Sequence, residues 1–206
     1  MPSNSYLIPA EHVRVEKEIK RSRFIALTST AVGRASALEF LEKVRHEFPD
    51  ARHHCWAYIA GNPAHTIELG YSDDGEPRGT AGKPIFNVLR HKKIGELVVV
   101  VVRYFGGIKL GTGGLVRAYS GVTQEALELL QVTTKSIKVG FLLYLPYTLE
   151  NKVRHYMTRP YLSFLKVDYG EAVVISLEVE ENMVKAFHEE LTNLSAGRVR
   201  IEKSKT

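Results

Sequence analysis

Hydrophobic and polar residues alternate along this chain in two rhythms, and the switches between them mark most of its elements. From 7 to 31 the period is two: Val13, Val15 and Ile19 are separated by polar residues, and Phe24, Ile25 and Leu27 follow a basic break at Lys20, Arg21 and Arg23. Successive side chains of a strand face opposite ways, so this spacing predicts two short strands. Over 35–48 the spacing lengthens to that of a helix. Ala37, Leu38, Leu41, Val44 and Phe48 share one face there, and Pro49 with Asp50 ends it. Strands are expected at 51–60 and 66–71 on either side of a turn at Gly61, Asn62 and Pro63. A loop rich in Gly and Pro covers 73–84, and a short helix over 85–92 carries Ile85, Val88 and Leu89 on one side.

Residues 97–104 give the strongest strand signal. The five consecutive valines at 98–102 leave no polar face, so this strand is expected to be buried on both sides at the centre of a sheet. A glycine-rich run follows at 106–114. After it comes a helix to about residue 130, with Thr112 as its expected N-cap and Leu115, Ala118, Val122, Ala126 and Leu129 along its apolar stripe. Further on, the pattern predicts a strand over 135–145, a helix over 149–157, strands over 161–169 and 172–179, a helix over 183–194 and a last strand over 197–201. The order βαββαβ is that of a ferredoxin-like sandwich. The chain thus reads as α+β in two domains, 1–132 and 133–206, with the boundary between Gln131 and Thr134.

Composition narrows the class without naming a function. With 206 residues, 44% hydrophobic and 25% charged, the chain is near the globular average, which sets disorder, collagen and coiled coil aside. The longest apolar run, at 97–102, is far short of the roughly 20 residues that cross a bilayer. No signal peptide is visible, and the single thiol, Cys55, builds no intramolecular disulfide. A cytoplasmic location and no membrane partner are the expectation. The net charge is +5, but its distribution says more: residues 78–117 hold eight Lys or Arg and one acid, Glu96. Such a stretch faces phosphate or merely solvates helices, and charge alone leaves the two even.

Three constellations could carry chemistry. In the strand–glycine loop–helix segment, Gly106, Gly107, Gly111, Gly113 and Gly114 let backbone N–H groups approach an anion, and the helix N-terminus adds positive partial charge. Arg103, Lys109 and Arg117 could add charge-assisted contacts. Thr112 stands where a Walker-A motif needs Lys, and no Gly-x-Gly-x-x-Gly occurs, so the run matches neither nucleotide fingerprint. The plain alternative is a tight turn between packed elements. In the acidic loop, Asp73, Asp74 and Glu76 could hold a divalent cation or act as acid and base. Ion pairing with Arg78 and Lys83 is the expectation weighed against that. His53, His54 and Cys55 look metal-like, but on a strand His53 and Cys55 share one face and His54 and Trp56 the other. Two ligands per face are too few for zinc. No metal site and no cofactor are expected.

Taken together, Ser22-Arg23-Phe24, ARHHCWAY from 51, DDGEPRGTAGKP from 73 and VVRYFGGIKLGTGG from 101 resemble the YigZ/IMPACT family over essentially the whole chain. The family's motifs fall on His53, His54, Asp73, Asp74, Gly75, Glu76, Gly79, Thr80, Gly82, Arg103 and the five glycines of the 106–114 run. The resemblance implies an N-terminal domain like the second domain of small-subunit ribosomal protein five. It also implies a ferredoxin-like C-terminal domain like the last domain of elongation factor G. Eukaryotic members regulate translation, partly through an added RWD domain; with about ten residues before the first strand, this chain resembles the short bacterial members. The expected function is a translation-linked binding protein that contacts RNA or the ribosome through Arg103, Lys109 and Arg117, with His53, His54 and Lys83 at the edge. A protein partner in the translation machinery is a further possibility. The alternative is an enzyme acting on a phosphorylated or nucleotide-like small molecule through Asp73, Asp74 or Glu76.

Overall fold

A computed structural model describes residues 5–66 and 68–204. The chain divides into two compact units, Tyr6–Lys135 and a second that runs from Ser136 onward.

The first unit is built around a five-stranded antiparallel sheet of order β2-β3-β6-β4-β5. These strands are β2 (Arg14–Ile19), β3 (Ser22–Thr30), β4 (His53–Ile59), β5 (Leu69–Ser72) and β6 (Leu97–Tyr104), preceded by β1 (Ser5–Pro9). The valine run lies in β6, at the middle of the sheet, and every residue from Leu97 to Val102 is at most 1% exposed. Its side chains alternate between two cores. Leu97, Val99 and Val101 meet one core with Leu115, Tyr119 and Val122 of α3 (Thr112–Leu129) and Ile85 and Leu89 of α2 (Gly82–Lys92). Val98, Val100 and Val102 meet the other with Ala37, Leu41 and Val44 of α1 (Arg34–Glu47). Helices cover both faces, which is why no polar residue interrupts β6 before Arg103.

Where the elements differ from the sequence expectation, turns explain it. Residues 7–31 hold three strands rather than two, because β1 pairs with β7 (Val132–Ser136) outside the main sheet. Lys20 and Arg21 form the β2–β3 turn, both with positive φ (49° and 64°). That sense matches the strand twist, although neither is the Gly or Asn usually found there. The strand expected at 135–145 is likewise two, β7 and β8 (Lys138–Leu145), and residues 133–135 lie with the first unit because β7 pairs with β1. The strand expected at 66–71 is β5 (Leu69–Ser72), and Ile67 lies outside the described residues. The 73–84 loop ends early: α2 begins at Gly82, and Pro84 sits in its first turn, where its missing N–H costs nothing.

The second unit contains β8, α4 (Glu150–Tyr156), β9 (Leu162–Tyr169), β10 (Val173–Glu180), α5 (Val184–Ser195) and β11 (Arg200–Lys203). Its antiparallel sheet has the order β11-β8-β10-β9, and its βαββαβ connectivity is that of the ferredoxin-like class. Phe141, Leu143, Leu145, Ile175 and Leu177 pack one sheet face against Val153, Phe187 and Leu191 of the two helices.

Glu96 is a buried carboxylate at the start of the central strand, 3% exposed. It accepts from the Tyr6 hydroxyl at 2.7 Å and from Lys135 Nζ at 2.6 Å, so it joins β1 and β7 to the strand. Burial, reinforced by Glu96, holds the Tyr6 hydroxyl well above its usual range and keeps it a donor. Glu96→Ala strands that donor and should lower unfolding free energy by about 1–3 kcal/mol, with an unchanged m-value in urea denaturation.

Candidate functional site

The end of β6 opens into a cleft of about 360 Å³. His53, Glu76, Arg103, Phe105, Lys109 and Leu115 are among its lining residues, with Gly111 and Thr112 at the start of α3. Register brings the pieces together: His53 on β4 stands opposite Arg103 on β6. The acidic loop and the glycine loop, separate in sequence, thus face one space.

Its floor is a buried polar network. Glu76 Oε1 accepts from Arg103 Nη1 at 2.6 Å and from the Tyr119 hydroxyl at 2.8 Å. The Cys55 thiol in turn lies 3.4 Å from the Tyr119 hydroxyl and 2.9 Å from the Asp73 carbonyl. Burial raises both the thiol and the phenol far above their usual ranges, so both stay protonated. Cys55 is therefore a packed donor and no nucleophile. Arg103 is 6% exposed, and its guanidinium lies between the Phe24 and Phe105 rings, at 5.4 and 5.6 Å. One of its atoms, Nε, is buried without a hydrogen-bond partner. A charge this buried survives because Glu76 neutralises it, and removal of either partner would leave an uncompensated ion.

The other two carboxylates of the loop are bound to backbone. Asp73 accepts from Gly79 N–H at 2.7 Å, Ala81 N–H at 3.0 Å and Gly82 N–H at 2.8 Å. It thereby supplies the anion that the N-terminus of α2 attracts. Asp74 accepts from His54 N–H at 2.7 Å and pairs with Arg45 at 3.3 Å. The partners expected from sequence, Arg78 and Lys83, are exposed instead, and Lys83 does not line the cleft. Among the described residues no group of three His, Cys, Asp or Glu is placed to hold a metal ion.

The two histidines separate as strand geometry requires. His53 lines the cleft and is held by the Asp74 carbonyl, 2.8 Å from its Nδ1. His54 faces the opposite core, 6% exposed, with Nε2 3.2 Å from the Phe48 carbonyl. It is thus removed from the cleft edge where sequence reasoning put it.

The glycine loop packs closely at one end and is open at the other. A Cβ on Gly106 would lie 1.8 Å from the Arg21 carbonyl oxygen, so close packing against the β2–β3 turn demands glycine there. Gly111 has φ of 73° and is the N-cap of α3, which displaces the expected Thr112 by one residue. No side chain caps that end. Gly111, Thr112 and Gly113 are exposed, and the first N–H groups of a helix have no intrahelical partner. α2 is closed by its own aspartate; α3 presents its N-terminus to solvent.

Of the expected cations, Lys109 and Arg117 are exposed beside this end, whereas Arg103 is spent on Glu76. The fold adds three that sequence reasoning missed. Arg52 lines the cleft, Lys20 lines a smaller hollow shared with Arg117 and Gly114, and Arg21 sits on the turn that covers Gly106. The only local signal for Lys20 and Arg21 is their position between two strand patterns.

These features define a two-domain α+β protein whose first unit holds a cleft between an acidic loop and a glycine-rich helix start. Residues 20–127 match the Impact N-terminal domain, and 143–198 match a domain of unknown function (DUF1949). The chain is 43% identical to an IMPACT family member of Haemophilus influenzae, covering 96% of both chains. It is 41% identical to the IMPACT family member YigZ of Escherichia coli, covering 96% of this chain and 97% of that one. A crystal structure of a hypothetical protein, 40% identical, superposes with a TM-score of 0.76 over 98% of each chain. The chain belongs to the IMPACT family.

Two measurements test the site's geometry. Gly106→Ala meets backbone and should destabilise severely. Gly107→Ala, with φ of 84° and open space around it, should cost only about 1–2 kcal/mol; equal losses in denaturant unfolding would refute the close-approach argument. The second concerns His54, whose pKa burial lowers below the ordinary value. The unfolded chain then takes a proton that the folded chain resists. Stability is complete above about pH 6.5 and falls as pH drops through that value. Thermal midpoints between about pH 7.5 and 5 should show this fall, and His54→Asn should flatten it.

Proposed function

We propose that this protein is a translation-linked regulatory binding protein of the cytoplasm that contacts RNA or a ribosomal surface through its first unit. One observation carries the reading: Lys109 and Arg117 stand exposed beside the uncapped N-terminus of α3, Arg52 lines the cleft with Lys109, and Lys20 shares a hollow with Arg117. Separate segments of chain thereby form one cationic face with backbone donors at its centre, the arrangement that phosphate oxygens fit. The resemblance of the chain to family members that act in translation supplies the biological setting. The partner contributes its phosphate backbone or an acidic surface, and no cofactor is required for such a contact.

A second reading has a specific observation of its own. Glu76 lines the same cleft as the glycine loop, together with His53, as an enzyme acting on a phosphorylated or nucleotide-like molecule would arrange them. Asp73 and Asp74 add nothing to it, since backbone N–H groups and Arg45 occupy them. Turnover of a phosphate ester that disappears in a Glu76→Gln variant shown to be folded by its circular dichroism and unfolding midpoint would favour this reading.

Co-sedimentation with ribosomes and their subunits across a salt series tests the first. Apparent affinity should fall by about 0.7–0.9 log units per tenfold salt for each phosphate contact. The double variant Lys109→Glu, Arg117→Glu alters two exposed side chains, so it should fold normally and bind with a shallower slope and lower affinity. Normal binding by that folded variant would reject the proposal.

A further inference from the structure

A face that merely neutralises phosphates needs no hollow, yet this one surrounds a cleft with apolar walls. Phe105, Pro77, Leu110 and Leu115 line it. Phe105 remains 53% exposed, and its neighbour Ile108 is 41% exposed. The floor differs in kind: Glu76, His53 and Arg103 present polar edges, and Arg103 retains a buried Nε without a partner. At the rim stand Lys109 and the open start of α3. Its volume of about 360 Å³ falls in the range of small-molecule sites, roughly 300–1,000 Å³.

We infer that the cleft takes one nucleotide, with the base flat against Phe105 and the phosphate at Lys109 and the N-terminus of α3. A bare phosphate would leave the apolar walls wet, and an apolar group would leave the buried Arg103 Nε without a hydrogen-bond partner. A nucleotide meets all three surfaces: a π-face for the ring, a polar edge for the floor and an anion for the rim. The Arg103 guanidinium, 5.6 Å from the Phe105 ring centre, helps hold that ring in place. A paired base cannot enter, because its faces and Watson–Crick edge are covered in a duplex. The cleft therefore selects unpaired nucleotides, either within a single strand of RNA or free in solution. This inference rests on the phosphate-contacting reading of the same face and adds the base to it.

The test compares a labelled single-stranded RNA of about 12 nucleotides with its duplex by fluorescence anisotropy, alongside AMP, GMP, CMP and UMP by calorimetry. The full chain, Phe105→Ala and Phe105→Trp are used. Phe105 is half exposed and touches the Arg103 guanidinium, so the unfolding midpoint of each variant is measured first and binding is compared at a temperature where all three are folded. The single strand should bind about tenfold tighter than the duplex, Phe105→Ala should abolish that preference, and Phe105→Trp should keep it. A mononucleotide that binds wild type but not Phe105→Ala supports the same site with a free ligand as its source. Equal affinity for strand and duplex, both indifferent to Phe105, overturns the nucleotide cleft and leaves the salt-dependent phosphate contact standing. Failure of every probe to bind overturns the nucleotide cleft, and the co-sedimentation series then decides the ribosome-contact reading by itself.

Discussion

Burial of β6 on both faces is the constraint on which the first unit depends. A strand with no polar face must have cover on each side, so α1 packs on one and α2 with α3 on the other. The arrangement has a consequence at the strand's end. Arg103 is the first residue after the valines and is still buried, so its charge needs an internal partner. Glu76 supplies it from a loop that is otherwise unrelated to β6. The pair draws the acidic loop down beside the glycine loop, and the cleft is the space that remains between them. Stability and site therefore share one residue.

The two glycine-bearing loops solve a similar problem in opposite ways. Both lead into helices whose first N–H groups need acceptors. In α2 the need is met internally, by the carboxylate of Asp73. In α3 the glycines Gly111 and Gly113 leave the helix start exposed, with Lys109 and Arg117 beside it. The first loop is thus closed to an added anion and the second is open to one. This difference separates residues that sequence reasoning had grouped as equal candidates. Asp73 and Asp74 shape the loop, Glu76 holds the floor, and the face that a partner can reach belongs to the glycine loop.

The second unit follows a simpler logic. Strands and helices alternate in an order that covers one face of a four-stranded sheet. Alternation along β8 and β10 places Leu143, Leu145, Ile175 and Leu177 against the helices, and leaves Tyr144 and Val174 on the other side. Its chemistry is less concentrated than that of the first unit, where the cleft and the cationic face lie.

How much of this was legible in the chain follows from the range of each interaction. The helices, the central strand and the βαββαβ order were readable, because periodicity is a property of neighbouring residues. The opposed faces of His53 and His54 were readable for the same reason. The extra strand at the start was not, since β1 pairs with β7 across more than a hundred residues. The roles of Arg103 and Lys83 were not readable either. Both are cations near glycine, and only packing decides that the first is buried against Glu76 and the second stands in solvent. The placement of Lys20 beside Arg117 and of Arg52 beside Lys109 likewise required the tertiary structure. The sequence by itself determined the helices, the buried central strand and the βαββαβ order, and that a basic glycine-rich loop follows the buried strand. Only the fold decided which charges remain free, because a charge becomes available or spent through partners that sheet register, not chain proximity, brings within reach.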